Sequence, residues 1–539
     1  MTRKCCVLIL VATIAALVLR LPRLIQRPMH GDEAVHAIKF GELLEHGNYT
    51  YDPHEYHGPT LNYLSLIPAW LTSENTLTKV NEFTLRIIPV VCGVLLILLV
   101  FLIADGIGAN AAIFATILTA ISPAMVFYSR YYIQEMLLVC FTFGAIVSGY
   151  RYTRSRNIAW AISCGIFLGL MHATKETSII TFGAMLLALA AVMIFRQNKK
   201  TAANNLKKIK VSHIFAGLGA AVIVLIFFFS SFFTNPHGIL DSVLTYKTYF
   251  SRADNNIIHI HPWYYYLRML IFYKYGSGPI WMEAFIVILA MFGFIAALIK
   301  KWITFEDVSL LRFIAFYTLI LTVIYSIIPY KTPWCMLSFL HGMILLAGFG
   351  AAVMIKLSPK VLPRAIVSLV LLGAAVHLSW LSYLNNYKYY ADSRNPYVYA
   401  QPTTEIYDLL NKVEFYSKAD PQGKNMYIEV ICPNHDYWPL PWYLRSFTQV
   451  AYRTSVAFDA PSAPLIIASP SVESDLRKKI YDTSIPFEDR QMYLYLIDKD
   501  PYYIWLRPQV ELKGYVRKDL WDAANEEPDP IILIKEQAK

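Results

Sequence analysis

The sequence predicts a mainly α-helical, polytopic membrane protein that ends in a small α/β domain. Of its 539 residues, 56% are hydrophobic and only 16% are charged, and the mean hydropathy is +0.41. Soluble globular domains carry about 25% charged residues, so this composition excludes an ordinary soluble protein. The apolar residues fall into long runs, whereas the last part of the chain alternates short strand-like and helix-like segments.

The long apolar runs define the membrane part of the chain. A helix needs about 20 apolar residues to cross the hydrocarbon core of a bilayer. Basic residues precede the first run, but no small-residue cleavage site follows it, so we expect a retained anchor rather than a signal peptide. We expect about eleven transmembrane helices on this length criterion, near residues 5–21, 87–104, 109–127, 133–150, 158–172, 177–195, 212–233, 280–299, 309–328, 333–355 and 365–384.

Basic residues in the short loops predict the orientation. Cytoplasmic loops of membrane proteins are enriched in Lys and Arg. With a cytoplasmic N-terminus, every inner loop except the turn at 105–109 is basic. The same loops account for the net charge of +10, so we expect no nucleic-acid partner. The prediction is an integral protein of the plasma or inner membrane, with the loop 22–86 and the C-terminal tail outside the cytoplasm.

The tail predicts a separate extracytoplasmic domain. Residues 385–539 lack long apolar runs. Strand-like pieces alternate there with helix-like pieces, which indicates a small α/β domain. We therefore expect a transmembrane domain over 1–384 and an α/β domain over 385–539. The strand-like pieces are 426–431, 464–467 and 492–497, and the helix-like pieces are 404–417 and 472–480.

The first outer loop contains a dense group of ionisable residues. Seven residues of this group lie in the segments 28–36 and 51–63, beside some of the most apolar segments of the chain. Ionisable groups at the edge of a membrane are costly to desolvate, which points to a functional site. The seven are Asp32, Glu33, His36, Asp52, His54, Glu55 and His57.

Asp32 precedes apolar residues at helical spacing, so it marks the start of an amphipathic interfacial helix. An Asp in this place commonly caps the helix by accepting a backbone N–H, and that interpretation remains open. His36 lies one helical turn further on, on the same face as Asp32. Together with Glu33, the pair favours a functional interpretation.

The segment His54 to His57 does not match a zinc protease. Such enzymes need two histidines at positions i and i+4 of a helix, whereas these are three apart and bounded by Pro53 and Pro59. They are candidates to orient a phosphate or, with Asp32, to bind a divalent cation. The alternative for at least one of them is a solvated loop histidine. The cofactor is therefore unknown, with a divalent metal ion as one option.

Four charged residues lie at other outer helix ends. Arg130 and Glu135 open the fourth apolar run, where they could equally be an interfacial Arg and an ordinary first-turn Glu. Lys175 and Glu176 are adjacent in sequence, and such neighbours do not face each other on a helix. Each is therefore expected to interact with a different partner.

Two lysines accompany aromatic residues on the outer side. Lys331 lies between Pro329 and Pro333, in a turn too short to be slack. Tyr, Trp and Lys at such a place could simply anchor a helix end at the interface. A fixed Lys there is also a suitable counter-charge for a lipid-linked phosphate. Lys274, between two tyrosines, offers a similar but less sharply placed surface.

These motifs together resemble the GT-C superfamily of membrane glycosyltransferases, and within it the protein O-mannosyltransferase-like branch and an archaeal flippase-associated group. The matching features are Gly31-Asp32-Glu33, the segment 54–59, Arg130 to Glu135, and the tail segment 436–445. The resemblance implies that a sugar moves from a polyprenyl-phosphate donor in the bilayer to an acceptor outside the cytoplasm. It also implies that Asp32 is a general base, that Glu135 is the second-loop acid, and that Lys331 and Arg130 face the donor phosphate.

The chemistry of such a transfer agrees with the residue types. An acceptor hydroxyl loses its proton as it attacks the sugar, and the leaving lipid phosphate gains charge, so a carboxylate and fixed cations both help. The predicted site has three classes of residue. They are the catalytic Asp32, Glu33 and Glu135, the donor-phosphate ligands Arg130, Lys331, Lys274 and His57, and the substrate-binding His36, His54, Lys175 and Glu176.

Two other functions are alternatives to the inverting glycosyltransferase. A flippase or transporter of lipid-linked sugars should carry ionisable groups near the bilayer midplane and inverted repeats. The apolar runs are nearly free of charge and show no such symmetry. A non-catalytic scaffold with a partner-binding tail is supported only by the Tyr- and Trp-rich tail. The glycosyltransferase is the function that the sequence favours.

Overall fold

A computed structural model describes residues 3–53, 57–195, 209–255, 259–304, 306–481, 490–498 and 500–525. It contains two compact units. The membrane unit comprises residues 1–26 and 39–399, and the C-terminal unit comprises residues 27–38 and 400–539. The division falls after Tyr399 rather than at 384. A short segment of the first outer loop, which includes Asp32, also belongs to the C-terminal unit.

Helices dominate the membrane unit, as its composition predicts. Helix α2 (Gly31–His46) begins in the C-terminal unit and ends in the membrane unit. The other helices of the membrane unit are α1 (Arg3–Arg20), α3 (Thr60–Leu71), α4 (Glu82–Leu99), α5 (Ala104–Ile107), α6 (Ala109–Ile121), α7 (Pro123–Tyr128), α8 (Glu135–Ser155), α9 (Ile158–His172), α10 (Ser178–Ile194), α11 (Val211–Phe229), α12 (Gly238–Asn255), α13 (Tyr265–Ile271), α14 (Ala284–Leu298), α15 (Val308–Ile327), α16 (Leu337–Lys356) and α17 (Val361–Tyr383).

Apolar helices occupy all the predicted membrane runs. Within the described residues, six helices are long and apolar enough to cross a bilayer. Five shorter apolar helices lie at the other predicted runs. These helices differ in how far they are buried inside the protein. In Pro333–Lys356, 83% of the apolar window is buried, whereas the apolar window of Val211–Phe229 has no buried residue. The first therefore lies at the centre of the helix bundle, and the second presents its apolar side chains outward, as a lipid-facing helix does.

The C-terminal unit is an α/β domain, as predicted. Its sheet has the strand order β2-β1-β3-β6-β4, with β5 paired to β6. Strand β1 is parallel to β2 and β3, whereas β6 is antiparallel to β3, β4 and β5. The strands are β1 (Ile428–Ile431), β2 (Val450–Arg453), β3 (Leu465–Ala468), β4 (Tyr493–Tyr495), β5 (Ile504–Arg507) and β6 (Val510–Arg517), and the helices are α18 (Ile406–Ala419), α19 (Leu440–Tyr443), α20 (Glu473–Ile480) and α21 (Lys518–Asn525).

The burial of each strand explains whether it could be predicted from the sequence. Every residue of β1 and β3 is buried, and such strands appear as short continuous apolar runs. The three predicted strands overlap β1, β3 and β4. Strand β2 is half-buried throughout, and β5 and β6 mix buried with partly exposed residues, so their apolar signal is weaker. The core packs Ile406 and Leu409 of α18 against Ile428 and Leu465 of the sheet.

Candidate active site

The two adjacent carboxylates at the start of helix α2, those of Asp32 and Glu33, have different environments. The backbone N–H of Asp32 donates to Nδ1 of His30 at 3.0 Å, and Glu33 Oε2 accepts the backbone N–H of His30 at 3.0 Å. These two bonds satisfy backbone donors at the helix start in the manner of a capping box. Glu33 is fully buried and lies 3.8 Å from the Arg27 guanidinium. His30 and Glu33 thus provide the cap that the sequence allowed for Asp32.

Asp32 has a different environment from Glu33. Its side chain is 53% exposed, and Oδ2 lies 3.8 Å from Nδ1 of His30. His36, one turn further on, is buried. Of the two adjacent carboxylates in this segment, Asp32 is therefore the one that an acceptor hydroxyl can reach from solvent.

In the membrane unit, Glu176 and His57 form a bonded pair. Nδ1 of His57 lies 2.8 Å from Oε2 of Glu176, and the Tyr51 hydroxyl donates to Oε1 at 3.2 Å. Burial by itself would raise the pKa of Glu176, but the His57 charge and hydrogen bond, with Lys175 nearby, lower it overall. Glu176 is therefore ionised at neutral pH. Nδ1 of His57 therefore faces this carboxylate, which fixes the orientation of the imidazole ring.

Gly58 permits the approach that creates this pair. A Cβ atom at Gly58 would lie 2.2 Å from the carbonyl oxygen of Ala173. The same carbonyl accepts the backbone N–H of Thr60 at 3.2 Å, and the hydroxyls of Thr60 and Thr174 are 2.8 Å apart. The segment 57–60 therefore lies directly on the turn between α9 and α10, and glycine is required for that contact.

Substitution of Gly58 by Ala is expected to disrupt this contact. The added methyl group would overlap backbone atoms, which cannot move as a flexible side chain does, and overpacking of this kind costs about 1–3 kcal/mol. We expect a lower Tm because His57 moves away from Glu176. Gly149→Ala in α8 is the control, since a Cβ there would meet no described atom within 4 Å. Equal Tm values for both variants would contradict the interpretation.

Lys175 and Glu176 contact different partners, as their spacing predicts. The Lys175 ammonium forms an ion pair with Glu135, the first residue of α8, and both side chains are buried. Removal of one partner of such a pair leaves an uncompensated buried charge. The pair therefore joins α8 to the turn between α9 and α10, and it brings together two residues that the sequence assigned to the site.

Arg130 binds the segment at the end of helix α1. Its guanidinium donates to the carbonyls of Arg20 and Pro22 at 2.7 and 2.8 Å, and to that of Arg23 at 3.2 Å. It also lies over the ring of Tyr387, 5.1 Å from the centroid. These bonds show a structural role for Arg130. Its contact with a donor phosphate stays a prediction.

Lys331 is held in a short two-stranded pairing of loops. Its backbone N–H donates to the carbonyl of His259 at 2.9 Å, and His261 N–H donates to that of Pro329 at 3.1 Å. The buried ammonium donates to the carbonyls of His261, at 3.2 Å, and Ile328. Burial lowers the pKa of Lys331. Two of the three N–H groups of the ammonium are therefore directed to backbone carbonyls.

Comparison with known proteins adds two findings. Residues 65–232 match the model of the family described as dolichyl-phosphate-mannose-protein mannosyltransferase. The structure is similar to that of ArnT from Cupriavidus metallidurans bound to undecaprenyl phosphate, with a TM-score of 0.59 and 14% identity over 94% of this chain and 97% of that chain. The chain has the GT-C fold. No curated protein compared with the sequence matches it.

Other solved structures support the GT-C fold. The structure of the Archaeoglobus fulgidus oligosaccharyltransferase tethered with an acceptor peptide matches with a TM-score of 0.54 and 14% identity. That match covers 85% of this chain but only 65% of the oligosaccharyltransferase. AglB from the same organism, in complex with an inhibitory peptide and a dolichol-phosphate, matches with a TM-score of 0.54 and 12% identity over 97% of this chain and 77% of that chain. The resemblance to GT-C proteins expected from the sequence is confirmed.

Some predicted site residues of this GT-C chain remain apart from these contacts. Lys274 is exposed. His54 lies outside the described residues, as does Glu55. Among the described residues, His, Cys, Asp and Glu side chains form no group of three that could hold a metal ion. Of the three residues predicted as possible metal ligands, His54 lies outside the described residues, so metal binding stays a prediction.

Glu283 of the GT-C membrane unit was not predicted as an important residue. It is fully buried and accepts bonds from the Ser122 hydroxyl at 2.5 Å, the Ala124 N–H at 2.9 Å and the Tyr397 hydroxyl at 2.8 Å. Ser122 and Ala124 lie at the start of α7, whose end leads to Arg130. Glu283 therefore fixes the backbone that precedes the second outer loop. A lone Glu directly before an apolar run was the available sequence signal.

Proposed function

We propose that this chain is an inverting glycosyltransferase that moves a sugar from a polyprenyl-phosphate donor to an acceptor hydroxyl outside the cytoplasm. The GT-C fold supports the reaction class, and the exposed carboxylate of Asp32, next to the buried Glu33 that caps the helix, supports Asp32 as the base. ArnT and AglB were determined with undecaprenyl phosphate and dolichol-phosphate, which supports a lipid-phosphate donor by analogy. The observation that carries the proposal is the exposed Asp32 carboxylate.

The proposed reaction needs one base and several cations. As the acceptor hydroxyl attacks the anomeric carbon, Asp32 takes its proton, and the bond to the lipid phosphate breaks with inversion. The phosphate leaves with increased negative charge. Lys331, His57, Arg130 and Lys274 are proposed to bind that phosphate, because fixed N–H donors favour the charged product.

The remaining predicted residues have supporting roles in this proposal. Glu135 and Lys175 form a buried ion pair, and Glu176 holds His57, so these three keep the outer ends of α8 to α10 in place. His36 is proposed to contact substrate beside Asp32, and His54 is proposed to do so from the residues that the structure does not describe. Divalent-metal dependence is also a proposal, and loss of transfer after chelation, restored by added metal, would support it.

A lipid-vesicle assay separates the transferase from a flippase. The purified protein is reconstituted with radiolabelled dolichyl-phosphate mannose as the donor probe, and release of dolichyl phosphate is measured. The transferase predicts release that depends on protein. Movement of intact donor between leaflets without release would instead support the flippase. Undecaprenyl-phosphate mannose in parallel vesicles tests the preference for the lipid.

The orientation is part of the proposal and is tested separately. Asp32 and the C-terminal unit are proposed to lie outside the cytoplasm, and the N-terminus inside, because the predicted inner loops are basic. A cysteine that replaces Thr76, in a chain without its other cysteines, should react with an impermeant maleimide added to intact cells. Thr76 is suitable because it follows α3 in the same outer loop and its hydroxyl bonds to Thr78 at an exposed position. Labelling only after permeabilisation would contradict the orientation.

The lowered pKa of Lys331 predicts a pH dependence. An ordinary lysine has a pKa of 10.5, and burial lowers that of Lys331, so its charge disappears as the pH rises through a value below 10.5. Donor affinity should therefore fall on the alkaline side, below the pH at which ordinary lysines titrate. Lys331→Arg should move this fall to higher pH, since guanidinium stays charged. Profiles of KM against pH that coincide for both proteins would contradict the role of Lys331.

A further inference from the structure

The segment that carries Asp32 is held by distant residues of the C-terminal unit. Tyr443 Oη accepts the backbone N–H of Met29 at 2.8 Å, across 414 positions of sequence. Gln401 Nε2 donates to the carbonyl of Pro28 at 2.5 Å, across 373 positions. That N–H and that carbonyl belong to the same peptide group. The Pro28–Met29 peptide is therefore bound on both sides, just before helix α2 begins.

Tyr443, one of the two residues that bind this peptide, lies in a helix that packs into the core of the C-terminal unit. Tyr443 ends helix α19, in which Leu440 and Trp442 are buried. The loop before this helix is fastened by Arg507, which donates to the carbonyl of Trp438 at 2.9 Å and forms an ion pair with Asp436. Tyr443, which binds the Asp32 segment, is therefore connected through this loop to Arg507, the last residue of β5.

The same loop also lies close to the helix start. A Cβ at Gly31 would lie 3.7 Å from Cβ of Trp438, which is ordinary van der Waals contact. Glu33 closes the cap from the other side by accepting the His30 N–H. Residues on both sides of Asp32 are thus restrained, whereas its own carboxylate is 53% exposed.

We propose that Tyr443 and Gln401 are positioning residues that hold the start of α2 so that the Asp32 carboxylate keeps one orientation toward the acceptor hydroxyl. This inference rests on the proposed function of Asp32 as base. Proton transfer requires the base within hydrogen-bond reach of the hydroxyl, and a displacement of about 1 Å can cost about 100-fold in rate. The C-terminal unit then contributes to catalysis through two side chains that bind a single peptide group.

Tyr443→Phe in the full-length chain removes the acceptor of the Met29 N–H and keeps the aromatic ring. With dolichyl-phosphate mannose as the donor probe, we expect kcat to fall about 10- to 100-fold while KM for the donor stays unchanged. In the Asp32→Asn background the same substitution should cause no further loss, because its effect acts through Asp32. Gln401→Ala should behave in the same way.

Tyr493→Phe is the matched control for this experiment. The Tyr493 hydroxyl is buried, whereas that of Tyr443 is partly buried; the Tyr493 hydroxyl donates to the carbonyl of Ala463 at 2.9 Å, but it lies at the sheet, away from the Asp32 segment. It should lower Tm without the loss of kcat. Equal losses of kcat in both variants would overturn the positioning role, since general destabilisation would explain them. Losses from Tyr443→Phe and Asp32→Asn that simply multiply would overturn it as well.

Hydrogen exchange provides a readout that does not depend on the donor. The Met29 amide should exchange faster in Tyr443→Phe than in the wild type, and Tyr493→Phe should leave it unchanged. Unchanged exchange in Tyr443→Phe would overturn the inference, and so would faster exchange with wild-type kcat. Full activity of Asp32→Asn would instead refute the proposed base. The experiments therefore distinguish a wrong assignment of Asp32 as the base from a wrong assignment of Tyr443 as a positioning residue.

Discussion

Asp32→Asn is expected to lower kcat for sugar transfer by about 10²- to 10⁴-fold, the contribution typical of a positioned general base. The amide cannot take the acceptor proton but preserves size and shape. Because the Asp32 side chain is 53% exposed and the cap is formed by His30 and Glu33, Tm should change little. The measurement is release of dolichyl phosphate under saturating donor, together with thermal unfolding of the same preparation.

Glu33→Gln is the matched control for Asp32→Asn. It makes the same chemical change at the adjacent residue, but Glu33 is fully buried, accepts the His30 N–H and faces Arg27. We therefore expect a lower Tm and a kcat close to the wild type. If Glu33→Gln instead abolished transfer with an unchanged Tm, while Asp32→Asn stayed active, Glu33 would be the catalytic carboxylate.

Glu176→Gln is the second substitution with a large expected effect. It removes the charge that faces Nδ1 of His57 and leaves buried polar groups less well satisfied, at a cost of about 1–3 kcal/mol. The donor KM should rise because His57 no longer has a fixed orientation. His57→Gln should raise the donor KM to a similar extent, and the double variant should be no worse than either single one. Independent, multiplying effects would show that the two residues do not act as a pair.

Low pH should destabilise the wild-type protein partly as Glu176→Gln does, because protonation also removes the charge of Glu176. The pKa of Glu176 lies below its ordinary value of 4.5, because the opposing effects of His57 and Lys175 outweigh burial. A lowered carboxyl pKa contributes stability that is complete above 4.5 and is lost as the pH falls through the lower, folded-state value. Acid unfolding of Glu176→Gln should lack that contribution. Tyr51→Phe, which removes the 3.2 Å bond to Oε1 but keeps the His57 contact and the Glu176 charge, is the milder control.

The apolar helices could be predicted from the sequence because burial in lipid requires local runs of apolar residues. Each predicted run contains an apolar helix, although five of them are shorter than a full span. Local pattern also located the start of α2 near Asp32 and the different directions of Lys175 and Glu176. It did not reveal β2, which is half-buried throughout, or Glu283, whose partners come from two distant segments.

Composition and periodicity are local properties of the chain, so the sequence alone predicts a helical membrane protein with an α/β tail and a cluster of ionisable residues between its first two apolar runs. Which of those residues meet follows from the tertiary structure. It made Glu33 a cap and left Asp32 exposed, paired His57 with Glu176 across 119 positions, and brought Tyr443 to Met29 across 414. Such contacts depend on packing between segments far apart in sequence, which no local pattern encodes.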